Sequence, residues 1–290
     1  MNCRPLFGLA VAAVLVCLGV TPAAAAAPSP TLDRIKEARA ITLGYRSDAA
    51  PFSFKDRDGR VLGYSVELCA RVATAVQKDL GLAEMKVLWQ PLDAAERIAA
   101  VASGRVDVEC GTTTATLTRM KAVDFSLPIF VDGGSVLVRA KARLKRLADL
   151  KGKRIAAIGG TTTEEAIVRM LNTLGGTAVM VPVKDGAEGM QQLARGAVDA
   201  YAADRVVLAR LRQRQPKPSE FEFIAGDFSF EPYALVMSRD DPELRLIVNR
   251  TLAGLYRSGE IDPIFQRWLG SLGRPGPLLH SMYYLNTLPE

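Results

Sequence analysis

Ser103-Gly104-Arg105-Val106-Asp107 has an echo further along the chain, Arg195-Gly196-Ala197-Val198-Asp199. In each, a run with helical spacing closes on a glycine and an apolar strand starts straight after it. Glycine at that place fits the left-handed cap of a helix, a conformation that costs other residues a steric penalty. Two readings are open: ordinary helix-to-strand turn chemistry, or the mark of two halves of similar build. Each strand runs on into polar residues, Thr112 to Thr114 in one half and Asp204 in the other.

The segments around the echo have the rhythm of an α/β fold. Upstream lie a short helix from Leu32 to Ala38 and an alternating strand from Ala40 to Tyr45 that runs into Arg46. A helix from Tyr64 to Leu80 follows, with Val66, Leu68, Val72, Ala73 and Val76 on one stripe. Next come a strand (Lys86 to Leu92), a helix (Ala94 to Ser103) and a strand (Val106 to Cys110). The pattern restarts with a strand from Arg154 to Ile158, a Gly159-Gly160 turn and a helix from Thr162 to Leu174. A strand (Ala178 to Val183), a helix (Gly186 to Arg195) and a strand (Val198 to Ala203) complete it. Strands alternating with helices predict a mainly parallel sheet in each half. Extended stretches from Asp124 to Arg139 and from Phe221 to Met237 make two crossings, so the chain leaves its first domain, builds a second and returns. Helices from Asp241 to Tyr256 and Glu260 to Trp268 follow, Pro242 suiting a first helical turn. Gly273 to Glu290, rich in Pro and Gly at its start, reads as an extended tail on the surface.

The beginning of the chain fixes the compartment. Arg4, an apolar run from Leu6 to Val20, Thr21-Pro22 and the alanines 23 to 27 have the order of a secretory signal, expected to span residues 1–26 and to be removed. The run is shorter than the ~20 apolar residues a membrane span requires. Cys17 is a poor lipid-attachment site because Val16 precedes it, so soluble release is expected. Cys69 and Cys110 then remain in a compartment that permits disulfides, either bridged or as two small buried hydrophobes. The composition, 49% hydrophobic and 23% charged, is that of a globular protein. Despite a net charge of +6, the Lys and Arg are scattered among acids, which argues against nucleic-acid binding. The only histidine, His280, lies near the C-terminus, so serine or cysteine triads and His/Cys zinc sites are not expected.

In open α/β sheets, ligands bind beyond the carboxyl ends of the strands. Arg46 follows the first strand. Arg97 stands in the first turn of a helix, where a cation opposes the helix dipole and makes sense if an anion sits in front of it. Gly111-Thr112-Thr113-Thr114 follows a strand and leads to Arg119. Gly159-Gly160-Thr161-Thr162-Thr163 joins strand to helix, so that N–H groups and hydroxyls can receive a carboxylate, although such a threonine run is also an ordinary helix cap. Asp204, past Ala203, suits an ammonium, although alone it would pass for a cap.

Gly63-Tyr64-Ser65-Val66-Glu67-Leu68 ahead of an apolar helix resembles the signature of the extracellular solute-binding proteins for polar amino acids (family 3). Gly44-Tyr45-Arg46-Ser47, Pro51-Phe52-Ser53, Glu109 to Thr114, Gly160-Thr161-Thr162, Lys184-Asp185 and Asp240-Asp241-Pro242 are similar to the glutamate/aspartate-binding branch in order and spacing. The resemblance implies a type II periplasmic-binding-protein-like fold, two α/β lobes joined by two extended crossover strands. Lobe I would be 27–134 plus 232–290 and lobe II 135–231. It implies that Arg119, Thr114 and Thr161 hold the ligand α-carboxylate, that Asp204 and Thr112 hold the α-ammonium, and that Arg46 and Arg97 meet a side-chain carboxylate. It further implies a periplasmic monomer without cofactor or metal, closing on glutamate or aspartate and delivering it to an inner-membrane ABC permease. Ala94 stands where the branch carries serine and Gly186 where it carries histidine. An exported dehydratase resembling cyclohexadienyl dehydratase is the alternative on the same fold; it would need a general acid and an aromatic-sized pocket.

Overall fold

A computed structural model describes Met1 and residues 29–289. The predicted signal segment therefore lies outside the described residues, apart from Met1. The chain opens with α1 (Pro30–Ala38), β1 (Ala40–Tyr45), the short strands β2 (Asp48–Ala49), β3 (Ser53–Lys55) and β4 (Val61–Leu62), then α2 (Tyr64–Asp79), β5 (Lys86–Pro91), α3 (Arg97–Ala102) and β6 (Val108–Glu109). Two long strands, β7 (Val123–Asp132) and β8 (Gly134–Arg139), lead into β9 (Arg154–Ile158), α4 (Thr162–Thr173), β10 (Val179–Val183), α5 (Gly186–Arg195), β11 (Ala200–Asp204), α6 (Arg205–Gln213) and β12 (Phe221–Phe223). Last come β13 (Glu231–Ser238), α7 (Pro242–Ser258), α8 (Ile261–Leu269) and α9 (Pro277–Leu285).

The strands form two five-stranded sheets, ordered β5-β1-β6-β13-β7 and β10-β9-β11-β8-β12, and a small sheet β2-β3-β4. In the first, β5, β1 and β6 run parallel and β13 and β7 complete it antiparallel. The second repeats this plan: β10, β9 and β11 are parallel, and β8 and β12 are antiparallel. The crossings occur where β7 passes into β8 through Gly133 and where β12 leads to β13. A side chain at Gly133 would strike the Asp227 carboxylate, its Cβ falling 2.8 Å from that residue's Cγ, so the connecting segments approach closely because glycine is there.

The echoed pentapeptides do equivalent work in the two sheets, which decides between the two readings. Gly104 and Gly196 both take left-handed backbone, φ 71° and 80°. The aspartate that follows then docks on the first strand of its sheet. Asp107 donates its N–H to the Thr42 carbonyl (2.8 Å) and accepts the Thr42 N–H on its carboxylate (2.7 Å). Asp199 does the same with Arg154, at 2.9 Å in both directions.

Each sheet is covered on both faces. In the first, α2 buries Val66, Leu68, Val72, Ala73 and Val76 against a core that includes Phe52, Phe130 and Tyr233, with α7 and α8 beside it, while α3 seals the far face with Ala100 and Val101. In the second, Ile167 and Leu171 of α4 cover one face, and Met190 and Leu193 of α5 with Leu208 of α6 cover the other. The expected tail is corrected: residues from Pro277 to Leu285 form a helix rather than an extended strap. Leu279, Met282 and Tyr283, at spacings of three and four, face the core, and the Tyr283 hydroxyl lies 2.8 Å from that of Tyr64. The prolines and glycines that suggested a coil end with Pro277 at the helix start, where its missing N–H costs nothing.

Candidate functional site

A narrow cavity of about 40 Å³ lies between the two sheets at the carboxyl ends of their strands. Five of the seven predicted residues line it: Arg46, Arg97 and Thr112 from the first half, Thr161 and Asp204 from the second. Thr114 and Arg119 do not line it, but adjoin it through Thr112 and Thr113. Arg119 donates Nη1–H to the Thr114 carbonyl at 2.9 Å.

Arg97 is the first residue of α3 and is buried, with Nη1 donating to the Thr112 carbonyl at 3.1 Å and Nε lacking a partner. Burial pulls its guanidinium down to about 10, against the opposing attraction of Glu109, so it stays charged at neutral pH. Glu109, fully buried on β6, accepts the Thr113 hydroxyl (2.7 Å) on one oxygen, while the other has no partner. Burial raises its carboxyl in spite of Arg97. Arg46 is not free in the way its position suggested: Nε and Nη2 donate to the two oxygens of Asp48 at 2.9 and 2.8 Å.

On the facing wall, the Thr161 hydroxyl is committed to local structure. It donates to the Ile158 carbonyl (2.8 Å) and accepts the Glu164 N–H (3.1 Å), capping α4. Thr163 donates to Asp204 at 2.7 Å, and Asp204 closes β11. Burial, then the charge of Glu231, raises Asp204. Asp132, at the end of β7, takes the N–H groups of Gly133 (2.8 Å) and Val206 (3.1 Å) and the Tyr233 hydroxyl (3.3 Å). Burial and the neighbouring Asp204 push it up to about 8.

Polar contacts join the two halves: beside the Val206–Asp132 bond, the Thr162 hydroxyl lies 3.2 Å from that of Thr114. Glu231, at the start of β13, accepts hydroxyls from Thr114 (2.5 Å), Ser229 (2.5 Å) and, across the cleft, Thr162 (2.7 Å). The Gly186 N–H at the start of α5 points to Asp48 at 3.4 Å. Sequence reasoning missed Asp48, Glu231, Asp132, Glu109 and Tyr201; Tyr201 lines the cavity with a buried hydroxyl that has no partner. Of these, only the acid two residues after Arg46 left a local signal. Cys69 and Cys110 are bridged, tying α2 to the strand end that leads into Thr112.

Two sheets of one plan, two crossings and a polar cleft with guanidinium groups on one wall and a carboxylate with a capped helix start on the other define a two-lobed capture protein for small solutes. The chain belongs to the bacterial extracellular solute-binding proteins, family 3, which it matches over residues 41–271. It is 34% identical to an L-glutamate/L-aspartate-binding protein of Pseudomonas aeruginosa over 88% of this chain and 85% of that one. It is 31% identical to the glutamate/aspartate import solute-binding protein of Escherichia coli K12 over 89% of this chain and 86% of that one. Among solved structures it resembles the ancestral amino acid-binding protein AncCDT-1, a precursor of cyclohexadienyl dehydratase. There the TM-score is 0.71 at 30% identity, covering 82% of this chain and 99% of that one.

Proposed function

We propose that this chain is the periplasmic substrate-binding component of an ABC importer and takes an acidic amino acid, glutamate or aspartate, between lobes made of residues 27–134 with 232–290 and of residues 135–231. In this reading the signal at residues 1–26 is cleaved and the mature chain acts as a monomer that delivers its ligand to an inner-membrane permease. Both relatives named above bind or import these amino acids by name. One observation carries the reading for this chain. Arg97 is a buried, charged guanidinium with an unpartnered Nε, in the cavity that also holds Asp204. Glu109 attracts this guanidinium without bonding to it, and a ligand carboxylate that hydrogen-bonds it directly relieves the cost of its burial.

Asp204 for the ammonium and Arg97 for the side-chain carboxylate fit their places in the cavity. Arg119 with Thr114 for the α-carboxylate requires the ligand to reach past Thr112, and Thr161 would offer its backbone more readily than its capped hydroxyl. Closure about the crossings brings the two walls onto the ligand, and the permease reads the closed form. The chain is a carrier rather than a dehydratase: the carboxyls in the cavity are engaged, Asp48 by Arg46 and Asp204 by Thr163. Titration calorimetry with glutamate and aspartate, alongside mass spectrometry of whatever co-purifies, tests the proposal. Turnover of a cyclohexadienyl substrate, or the absence of binding to either amino acid, would reverse it.

A further inference from the structure

The pairing of Arg46 with Asp48 changes what the far end of the cavity can recognise, given the functional reading above, on which this step rests. Arg46 is held by two parallel hydrogen bonds to Asp48, and the two side chains are only 6% and 19% exposed. The same carboxylate faces the Gly186 N–H from the opposite lobe. Both residues and Gly186 line the cavity, as does Tyr201 with its unpartnered hydroxyl. A bare guanidinium accepts only an anion gracefully; a neutral amide leaves it poorly paired. A guanidinium already neutralised by its own carboxylate presents donors from Arg46 and Gly186 beside an acceptor from Asp48.

That mixed surface matches a carboxamide, whose oxygen accepts and whose NH2 donates. A ligand carboxylate, by contrast, must approach Asp48 with like charge, although Arg97 still attracts it. We infer that Asp48 is a specificity-determining residue that opens this site to carboxamide side chains, glutamine and asparagine, alongside the acidic ones. Asp48 is a short polar side chain on the two-residue strand β2 whose carboxylate bonds Arg46 and faces Gly186, so its substitution is well suited to a binding test.

The experiment is calorimetric titration of glutamate and glutamine into the wild-type chain, Asp48→Asn and Asp48→Ala, with thermal melts to establish folding. The wild-type chain is expected to bind both with dissociation constants within about tenfold of each other. Either substitution frees Arg46 and shifts preference toward glutamate, raising the ratio of the glutamine to the glutamate dissociation constant by on the order of tenfold or more, the range of a hydrogen bond to a charged group. Glutamate binding with a ratio that is the same in all three proteins overturns the inference and leaves the functional reading intact. A wild-type chain that binds neither amino acid overturns both.

Discussion

Arg97 owes its importance to what it lacks. A buried N–H without a partner costs about 1–3 kcal/mol, and Nε of this residue bears that cost while Nη1 is satisfied by a backbone carbonyl. If a ligand carboxylate completes the set, Arg97→Ala should cost acidic ligands on the order of 2–5 kcal/mol of binding, whereas Arg119→Ala should abolish binding of every amino acid. Calorimetry of the two variants decides this, and unchanged glutamate affinity in both would defeat the role assignment. Asp132 supplies a prediction of a different kind. Its carboxyl is pushed up to about 8 by burial and by Asp204, above the value of about 3.9 expected in an unfolded chain. The folded chain therefore holds a proton that the unfolded chain releases. This group's contribution to stability is fully present below about pH 4 and is lost as the pH rises toward 8. Asp132→Asn should flatten that part of the pH–stability profile in chemical denaturation, and a profile identical to wild type would contradict the assignment. Single residues were legible where they stood at the edge of a regular element: Arg46 just past β1, Arg97 at the start of α3 and Asp204 at the end of β11. The partners of these residues were not, because Glu231 and Asp132 reach the cleft only through the crossing strands.

At the scale of elements, regular strands and helices announced themselves wherever apolar periodicity was strong. Strand β9 and helix α5 begin and end where their patterns do, at Arg154–Ile158 and Gly186–Arg195. The small sheet β2-β3-β4 and helix α9 were hidden for opposite reasons. Two- and three-residue strands carry no period, and α9 begins among residues that ordinarily break helices. Tyr283 shows how firmly that helix is seated, since its ring stacks on Tyr256 with centroids 5.2 Å apart and its hydroxyl meets Tyr64. Tyr283→Ala should destabilise the protein by about 3–5 kcal/mol, read as a lower midpoint in urea. A midpoint shift of only a few tenths of a molar would mean that α9 is an ornament on lobe I. The Cys69–Cys110 bridge closes a loop with a sequence separation of 41. Cross-linking a loop of that length contributes about 4 kcal/mol in the chain-entropy account. Cys69→Ser with Cys110→Ser should accordingly lower the thermal midpoint by many degrees. Because the bridge holds the strand end before Thr112, the double variant should also weaken ligand binding. Stability that falls while affinity holds would place the bridge in the scaffold alone.

For the molecule as a whole, the question is what holds the lobes together. Glu231 answers most directly, since it opens β13 of the first sheet at the second crossing and gathers hydroxyls from Thr114 of the first half, from Ser229 within the crossing and from Thr162 of the second half. Opening breaks the Thr162 bond and leaves the other two, so this bond contributes only to the closed form. A hydrogen bond to a charged group is worth about 1.5–3 kcal/mol, which corresponds to roughly a 10- to 150-fold bias between the two forms. Ligand affinity scales with the fraction of molecules in the binding-competent form, so a residue that never touches the ligand can set it. Glu231→Gln keeps the shape and weakens all three bonds by removing the charge. The unliganded variant should show a larger radius of gyration in solution scattering, and its glutamate affinity should fall by a smaller factor than that of Arg97→Ala. Were scattering and affinity both unchanged, closure would have to rest on the other contacts between the halves, Thr162–Thr114 at 3.2 Å, Val206–Asp132 at 3.1 Å and the longer Gly186–Asp48 at 3.4 Å.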